Sequence, residues 1–524
     1  MKIDRTKSAT RNMLFGWLLQ VYNLILPFVV RTAMIYIMGV QYLGLNSLFI
    51  SIISVLNLAE LGIGNAMVFS MYKPIAEDDH DKICKLMNLY RLYYRIIGLV
   101  VGILGIAVVP FLSKLIKSDI PADVNIYVLY FLNLGATVCT YWLFAYKSSL
   151  LYAYQKNHVE SKLNIIISTI KTVMQLAALY FTRNYYTYLV IAIIFQIITN
   201  VIIAIVTTRM FPQYKARGRL EKNEVREINC RIRDLCTSKL GTVVINQVDT
   251  IVISAFLGLT MLAVYQNYFY ILTSVRGVIT VALHACVAGI GNSIIVETEE
   301  KNLNDLKKLT FIVAWFSGWG ACCFLCLYQP FMKIWMGESL MLEYGAIICF
   351  CIYFFVLEIN QLLSVYKEAG GLWHEDRFRP LVTALVNLAM NLIMVQFWGI
   401  YGIILSTVLS TLFVGMPWLL HNLFTVLFKR KELIPYLKLL AEYVVVTVIA
   451  ACITLAICSS LQLADWPMLI VRTIICCIVP NIIFLAVYFR RKEFCEAVSL
   501  LNVMTKGKLG LDRVINLLNK SKKK

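Results

Sequence analysis

Apolar residues gather in long continuous stretches, broken by short polar ones. Runs lie near 13–38, 43–70, 93–116, 123–146, 163–182, 185–208, 239–258, 262–290, 309–328, 344–366, 381–397, 400–427, 437–459 and 467–489. A helix rising about 1.5 Å per residue needs about 20 residues to cross a hydrocarbon layer about 30 Å thick. Barrel strands instead alternate apolar and polar positions over about ten residues, and these runs do not alternate. The pattern predicts an all-α integral membrane protein with about 14 transmembrane helices.

Polar residues inside the runs follow helical steps of three and four. The first carries Asn23, Pro27 and Arg31; the second Asn57, Glu60 and Gly64; the fifth Ser168, Lys171, Thr172 and Gln175. Asn246 and Asp249 share a face of the seventh. Thr273, Arg276, Gly277, Thr280 and His284 form a stripe on the eighth. Glu358 with Gln361 and Asn387 with Asn391 do so on the tenth and eleventh. A charge at mid-membrane costs roughly 2.5–3.5 kcal/mol on the insertion scale, so it normally faces a cavity or a partner. The stripes predict a water-accessible cavity lined by helices of both halves. Arg31, Lys171 and Arg276 suit an anionic substrate, arginine's planar fork being the better phosphate clamp. Internal pairing, Asp249 with Arg276 or Glu60 with Arg31, is the other reading. Glu60, Asp249 and Glu358 either exchange a proton or Na⁺ or balance the cations. His284 reads as a packing group.

Composition narrows the class. The 524 residues are 60% hydrophobic and 15% charged, against about 45–50% and 25% for a soluble domain. A net charge of +19 would suggest nucleic acid in a soluble chain, but its placement says otherwise. Of the 49 basic residues, 41 fall in segments on the N-terminal side of the membrane and four in loops on the other. The positive-inside rule then places both termini in the cytoplasm. The basic segment 490–524 is expected to lie on anionic headgroups of the bilayer. Cys322–Cys326 and Cys349–Cys351 lack further His or Cys ligands at zinc spacing, so no metal site is expected. No P-loop, nucleophile elbow or HExxH pattern is present, which argues against an enzyme.

Leu61-Gly62-Ile63-Gly64-Asn65 closes the second run and Ala288-Gly289-Ile290-Gly291-Asn292 the eighth, each followed by an acidic stretch. That offset suits a repeat of six helices. An even number per repeat makes the copies parallel. The expected organisation is a six-helix lobe over 1–208, a basic linker over 209–239, a second lobe over 240–428, two extra helices over 429–489 and a tail over 490–524.

The blocks LPFVVRTAMIYIMGVQYLGLNSLF (26–49) and LNLAELGIGNAMVFSMYKPIAEDD (56–79) give the chain a resemblance to the Wzx-type polysaccharide flippases of the multidrug/oligosaccharidyl-lipid/polysaccharide exporter superfamily. Arg31, Gly39, Tyr42-Leu43-Gly44 and Tyr72-Lys73-Pro74-Ile75-Ala76-Glu77 carry it. So do YKSSLLYAYQKN (146–157) and LYQPFMKIW (327–335). The resemblance covers roughly 10–430 and implies two six-helix bundles plus two helices. It implies export of an undecaprenyl-diphosphate-linked oligosaccharide across a bacterial plasma membrane, with glycosyltransferases and a glycan polymerase as neighbours in the pathway. Related lipid II flippases place basic cavity residues on their first and eighth spans, which match Arg31 and Arg276 by position; with Lys171 these become the expected diphosphate ligands. No cofactor is implied beyond a coupling ion. The alternatives are a small-molecule exporter of the same fold and a membrane glycan polymerase. The first prefers acidic cavities for cationic drugs, and the second needs a large outer loop.

Overall fold

The computed structural model describes residues 5–60, 62–117, 120–461 and 463–504. The basic tail beyond 504 and the side chain of Asn246 lie outside the described residues. In chain order the helices are α1 (Arg5–Ile37), α2 (Val40–Leu56), α3 (Ile63–Ala76), α4 (His80–Val108), α5 (Leu112–Leu115), α6 (Ile126–Trp142), α7 (Ser148–Ala153), α8 (Asn157–Thr182), α9 (Tyr185–Met210), α10 (Lys222–Leu257), α11 (Leu259–Val296), α12 (Glu299–Met336), α13 (Tyr344–Ala369), α14 (Arg379–Ser410), α15 (Met416–Val426), α16 (Leu433–Ser459), α17 (Asp465–Tyr488) and α18 (Lys492–Met504). Among the described residues there is no strand.

Among the described residues nine helices are long and apolar enough to cross a membrane, ten if the bent pair Ile126–Trp142 and Ala145–Ala153 is one span. Three shorter apolar helices, Val21–Ile37, Val40–Leu56 and Val243–Leu257, accompany them. Fourteen separate spans are not distinguished among the described residues. One reason is that Arg379–Val426 merges two predicted runs. They meet at Gly399, whose φ of 53° and ψ of −128° are not helical. A methyl group on Gly402 would come within 2.4 Å of the Met394 carbonyl oxygen, so the chain folds back there as a helical hairpin.

The helices present apolar side chains outward as well as inward. On α4, Ile96, Leu99, Ile103 and Ile106 are exposed while Ile97, Val101 and Gly105 are buried. Among soluble proteins the outward face would be polar; here it matches a lipid environment. Polar caps end the helices where water returns. Asn125 accepts from the Tyr127 and Val128 amides at the start of α6, and Asn184 from Tyr186 and Thr187 at the start of α9. Such caps satisfy amides that have no partner in the first turn.

Contacts divide the chain into two compact units, Met1–Gln266 and Asn267–Lys524. The boundary between these units falls inside α11. The cause is α10, which packs on α2 and α3. A methyl group on Gly44 would lie 2.2 Å from the carbonyl oxygen of Leu259, so that glycine permits close backbone approach.

In the second unit the two helices after the predicted lobe are part of its core. Phe311 and Ala314 of α12 share one buried cluster with Tyr443 and Ala450 of α16 and Phe484 of α17. Gly318 makes room: a methyl group there would meet Thr447 Oγ1 at 2.7 Å and Phe484 Cζ at 3.0 Å.

Candidate functional site

Each unit holds a carboxylate at membrane depth, and the two are satisfied by different chemistry. In the first unit the predicted second span is not continuous. A 3₁₀ turn at Asn57–Glu60 is followed by Gly62 at φ 84°, before α3 begins. Glycine reaches that left-handed conformation without a side-chain penalty. The break presents Glu60 to α4 and α6. Its Oε1 accepts from the Tyr94 hydroxyl at 2.6 Å and its Oε2 from the Tyr141 hydroxyl at 2.8 Å. Tyr141 also lies 3.0 Å from Asn57 Oδ1, and Tyr90 donates to Tyr94 at 3.0 Å. Broken helices are tolerated in membranes where they line such polar sites.

This cage opens onto a pocket of about 390 Å³ walled by α2, α6 and α9, with Asn133, Thr137, Thr140 and Gln196 adding polar groups. Gln196 Nε2 donates to Thr140 Oγ1 at 2.9 Å. The sequence reading missed Tyr94, Tyr141 and this stripe. Asn133, Thr137, Thr140 and Tyr141 follow the same steps of three and four that mark the other spans, so the signal was present on the fourth run.

In the second unit Arg276 Nε donates to Glu358 Oε1 at 2.8 Å. Glu358 is fully buried and Arg276 keeps 21% of its side-chain exposure. Arg276 thus pairs with Glu358 of α13. Asp249 is buried on α10 in the other unit. The second oxygen of Glu358 has no hydrogen-bond partner among the described residues. A polar ladder continues along α11 and α13, where Gln361 Nε2 stands 3.3 Å from His284 Nε2 and Glu368 3.7 Å from its Nδ1. Thr280 is half-buried on the same helix.

The remaining predicted residues lie on several helices. Arg31 is half-buried on α1 within electrostatic reach of Tyr188, whose carbonyl accepts from Gln175 at 3.2 Å. Lys171 is half-buried on α8 and forms no ion pair among the described residues. Asn23 is exposed. Asn387 and Asn391 are fully buried. Asn387 Nδ2 donates to Thr407 Oγ1 at 2.9 Å, and Ser406 donates to Asn391 Oδ1 at 2.5 Å across the hairpin. Amides and hydroxyls serve there as interhelical glue.

Two further clusters were not legible in the spacing. Asp376, 2% exposed, receives two hydrogen bonds from Arg379, at 2.5 and 2.8 Å, and lies 3.5 Å from the Lys367 ammonium. Cys326, Cys458 and Cys476, from α12, α16 and α17, bring their sulfurs within 4.8 Å of one another.

Comparison with known proteins agrees with this architecture. Residues 9–287 match the family described as "Polysaccharide biosynthesis protein". No curated protein matches the chain. A lipid II flippase, MurJ, in an inward closed conformation superposes with a TM-score of 0.64 at 15% identity, covering 91% of this chain and 98% of that one. An inward-facing multidrug resistance MATE transporter gives 0.59 at 13% identity, over 78% and 94%. A eukaryotic MATE transporter gives 0.53 at 11%, over 82% and 100%. The chain belongs to the polysaccharide biosynthesis protein family and is a multi-pass membrane protein that shares the fold of these solved structures.

Proposed function

We propose that this member of the polysaccharide biosynthesis protein family flips an undecaprenyl-diphosphate-linked oligosaccharide from the cytoplasmic to the outer leaflet of a bacterial plasma membrane. Both termini face the cytoplasm, as the uneven distribution of basic residues supports. The reading is of a transporter and not an enzyme, and it needs no resident cofactor. The observation that carries it is Arg276, in a chain of this family: a guanidinium at membrane depth, oriented by a buried carboxylate yet still partly exposed. Its Nε is committed to Glu358, and no hydrogen bond ties its terminal nitrogens to the second carboxylate oxygen. A diphosphate oxygen is the acceptor that such a fork suits.

Arg31 and Lys171 are proposed as further contacts to the anionic headgroup from the first unit. Glu358 balances Arg276, and Asp249 is assigned a balancing role in its own unit. Glu60 is assigned the exchange of a coupling ion, because neutral hydroxyls hold it at the edge of an open polar pocket. The sugars meet amides and hydroxyls such as those of the Glu60 pocket. Differential affinity for the diphosphate between inward and outward states then drives the cycle.

The test is export measured beside abundance. Arg276→Lys keeps the charge and loses the fork; Arg276→Ala loses both. Surface glycan is expected to fall in that order, with lipid-linked repeat units accumulating on the cytoplasmic side. Full export by Arg276→Ala at normal abundance removes the residue from the site. Unchanged distribution of the lipid-linked repeat after depletion of the protein overturns the function itself.

A further inference from the structure

The second unit contains a thiol cluster that the transport reading does not use. Cys326 on α12, Cys458 on α16 and Cys476 on α17 are 1%, 0% and 0% exposed. Their sulfurs lie within 4.8 Å of one another. Cys323, one helical turn before Cys326, is in hydrogen-bonding contact with Cys476, so a fourth sulfur borders the set. All are free thiols, packed among Leu325, Leu327, Leu455 and Ile475. Arg472 of α17 reaches in from the side, donating from a terminal nitrogen to the Cys326 carbonyl at 3.4 Å. Its Nε is buried without a hydrogen-bond partner among the described residues.

We propose that Cys326, Cys458 and Cys476 form a binding site for a thiophilic divalent cation, zinc first, with the still-protonated Cys323 thiol available as a neutral fourth ligand and Arg472 as the balancing charge. Geometry supports it. Three sulfurs at tetrahedral angles about 2.3 Å from one centre stand about 3.8 Å apart, a spacing these side chains reach by small torsional shifts. Ligand type supports it as well: thiolates in a dry, apolar shell select soft metals over magnesium or calcium. Charge then chooses the valence. Three thiolates and a divalent cation leave one negative charge, which the guanidinium cancels, so the assembly is neutral in the apolar layer. A monovalent metal with three thiolates leaves a net negative charge there, which is costly. Binding releases three thiol protons to water. Cys458 lies in the last turn of α16, so the helix end is a short way in for the ion. The ligands come from three helices, so occupancy ties α16 and α17 to α12.

The test uses the full-length protein, purified in detergent under reducing conditions and desalted. Elemental analysis is expected to find about one zinc per chain. Cobalt(II) should replace it with a thiolate-to-metal charge-transfer band. Cys326→Ser and, separately, Cys458→Ala should lose both signals and melt at lower temperature, insensitive to added chelator. Cys139→Ser, at an exposed cysteine of the first unit, should keep both. Metal-free wild-type protein that takes up neither zinc nor cobalt overturns the site. So does non-reducing peptide mapping that finds a disulfide within the cluster, while stoichiometric copper overturns the divalent assignment.

Discussion

Glu60 and Glu358 are both carboxylates at membrane depth, yet one sits among hydroxyls and the other against a guanidinium. In the first unit, Tyr94 and Tyr141 each give Glu60 a neutral hydrogen bond, beside an open polar pocket. In the second, Glu358 is sealed from solvent and bound to Arg276. The difference teaches that one unit pairs its carboxylate with an opposite charge, while the other holds its carboxylate by neutral hydroxyls beside an open pocket.

The largest effect is expected where the fixed pair is broken. Glu358→Ala leaves Arg276 without its acceptor and should cost about 2 kcal/mol of stability, below the usual cost of breaking a buried pair because Arg276 is partly exposed. Thermal unfolding in detergent measures it. The double replacement Arg276→Met with Glu358→Met should recover most of that stability while export stays lost. If the double variant is as unstable as the single, the pair is structural and the comparison fails.

A smaller effect is expected in the tyrosine cage. Tyr94→Phe or Tyr141→Phe removes one donor from Glu60 and should cost about 1–2 kcal/mol. Glu60→Gln keeps the shape and both tyrosine contacts, so stability should move by less than about 1 kcal/mol. The same variant should abolish the dependence of vesicle transport on the ion gradient. Retained gradient dependence would show that Glu60 carries no coupling charge.

The smallest effect lies outside the membrane, where an ion pair can titrate in water. Glu224 Oε1 lies 2.6 Å from the Lys82 ammonium. That hydrogen bond, helped by the Glu221 amide, holds the Glu224 carboxyl below its usual range. A depressed carboxyl contributes stability that is complete above its unfolded value of about 4.3 and is lost as pH falls through the folded value. Hydrogen exchange in the first turn of α10 should therefore quicken below about pH 4, and Glu224→Gln should remove that dependence. An acid response unchanged in Glu224→Gln would place its origin elsewhere.

Much of the fold was readable because lipid imposes a long apolar period on any crossing helix. Partners were harder. Arg276 and Glu358 were both marked as costly in lipid, but nearness along the chain suggested Asp249, whereas α13 supplies the acceptor. The two glycine motifs show the limit clearly. Gly62 adopts a left-handed conformation at the start of α3, while Gly289 lies within the unbroken α11. Glycine permits a break without compelling one, so similar letters gave different backbones. The thiol cluster was invisible for a related reason: its members come from three helices, and no local spacing connects them.

The hairpin turning at Gly399 has a consequence for assembly. Asn387, Asn391, Ser406 and Thr407 find their hydrogen bonds across its two arms. Either arm entering hydrocarbon alone would expose those groups to lipid with nothing to bond. The arms therefore leave the insertion machinery as a pair, already zipped. The ribosome must have synthesised past Thr407 before the segment from Arg379 is released into the bilayer.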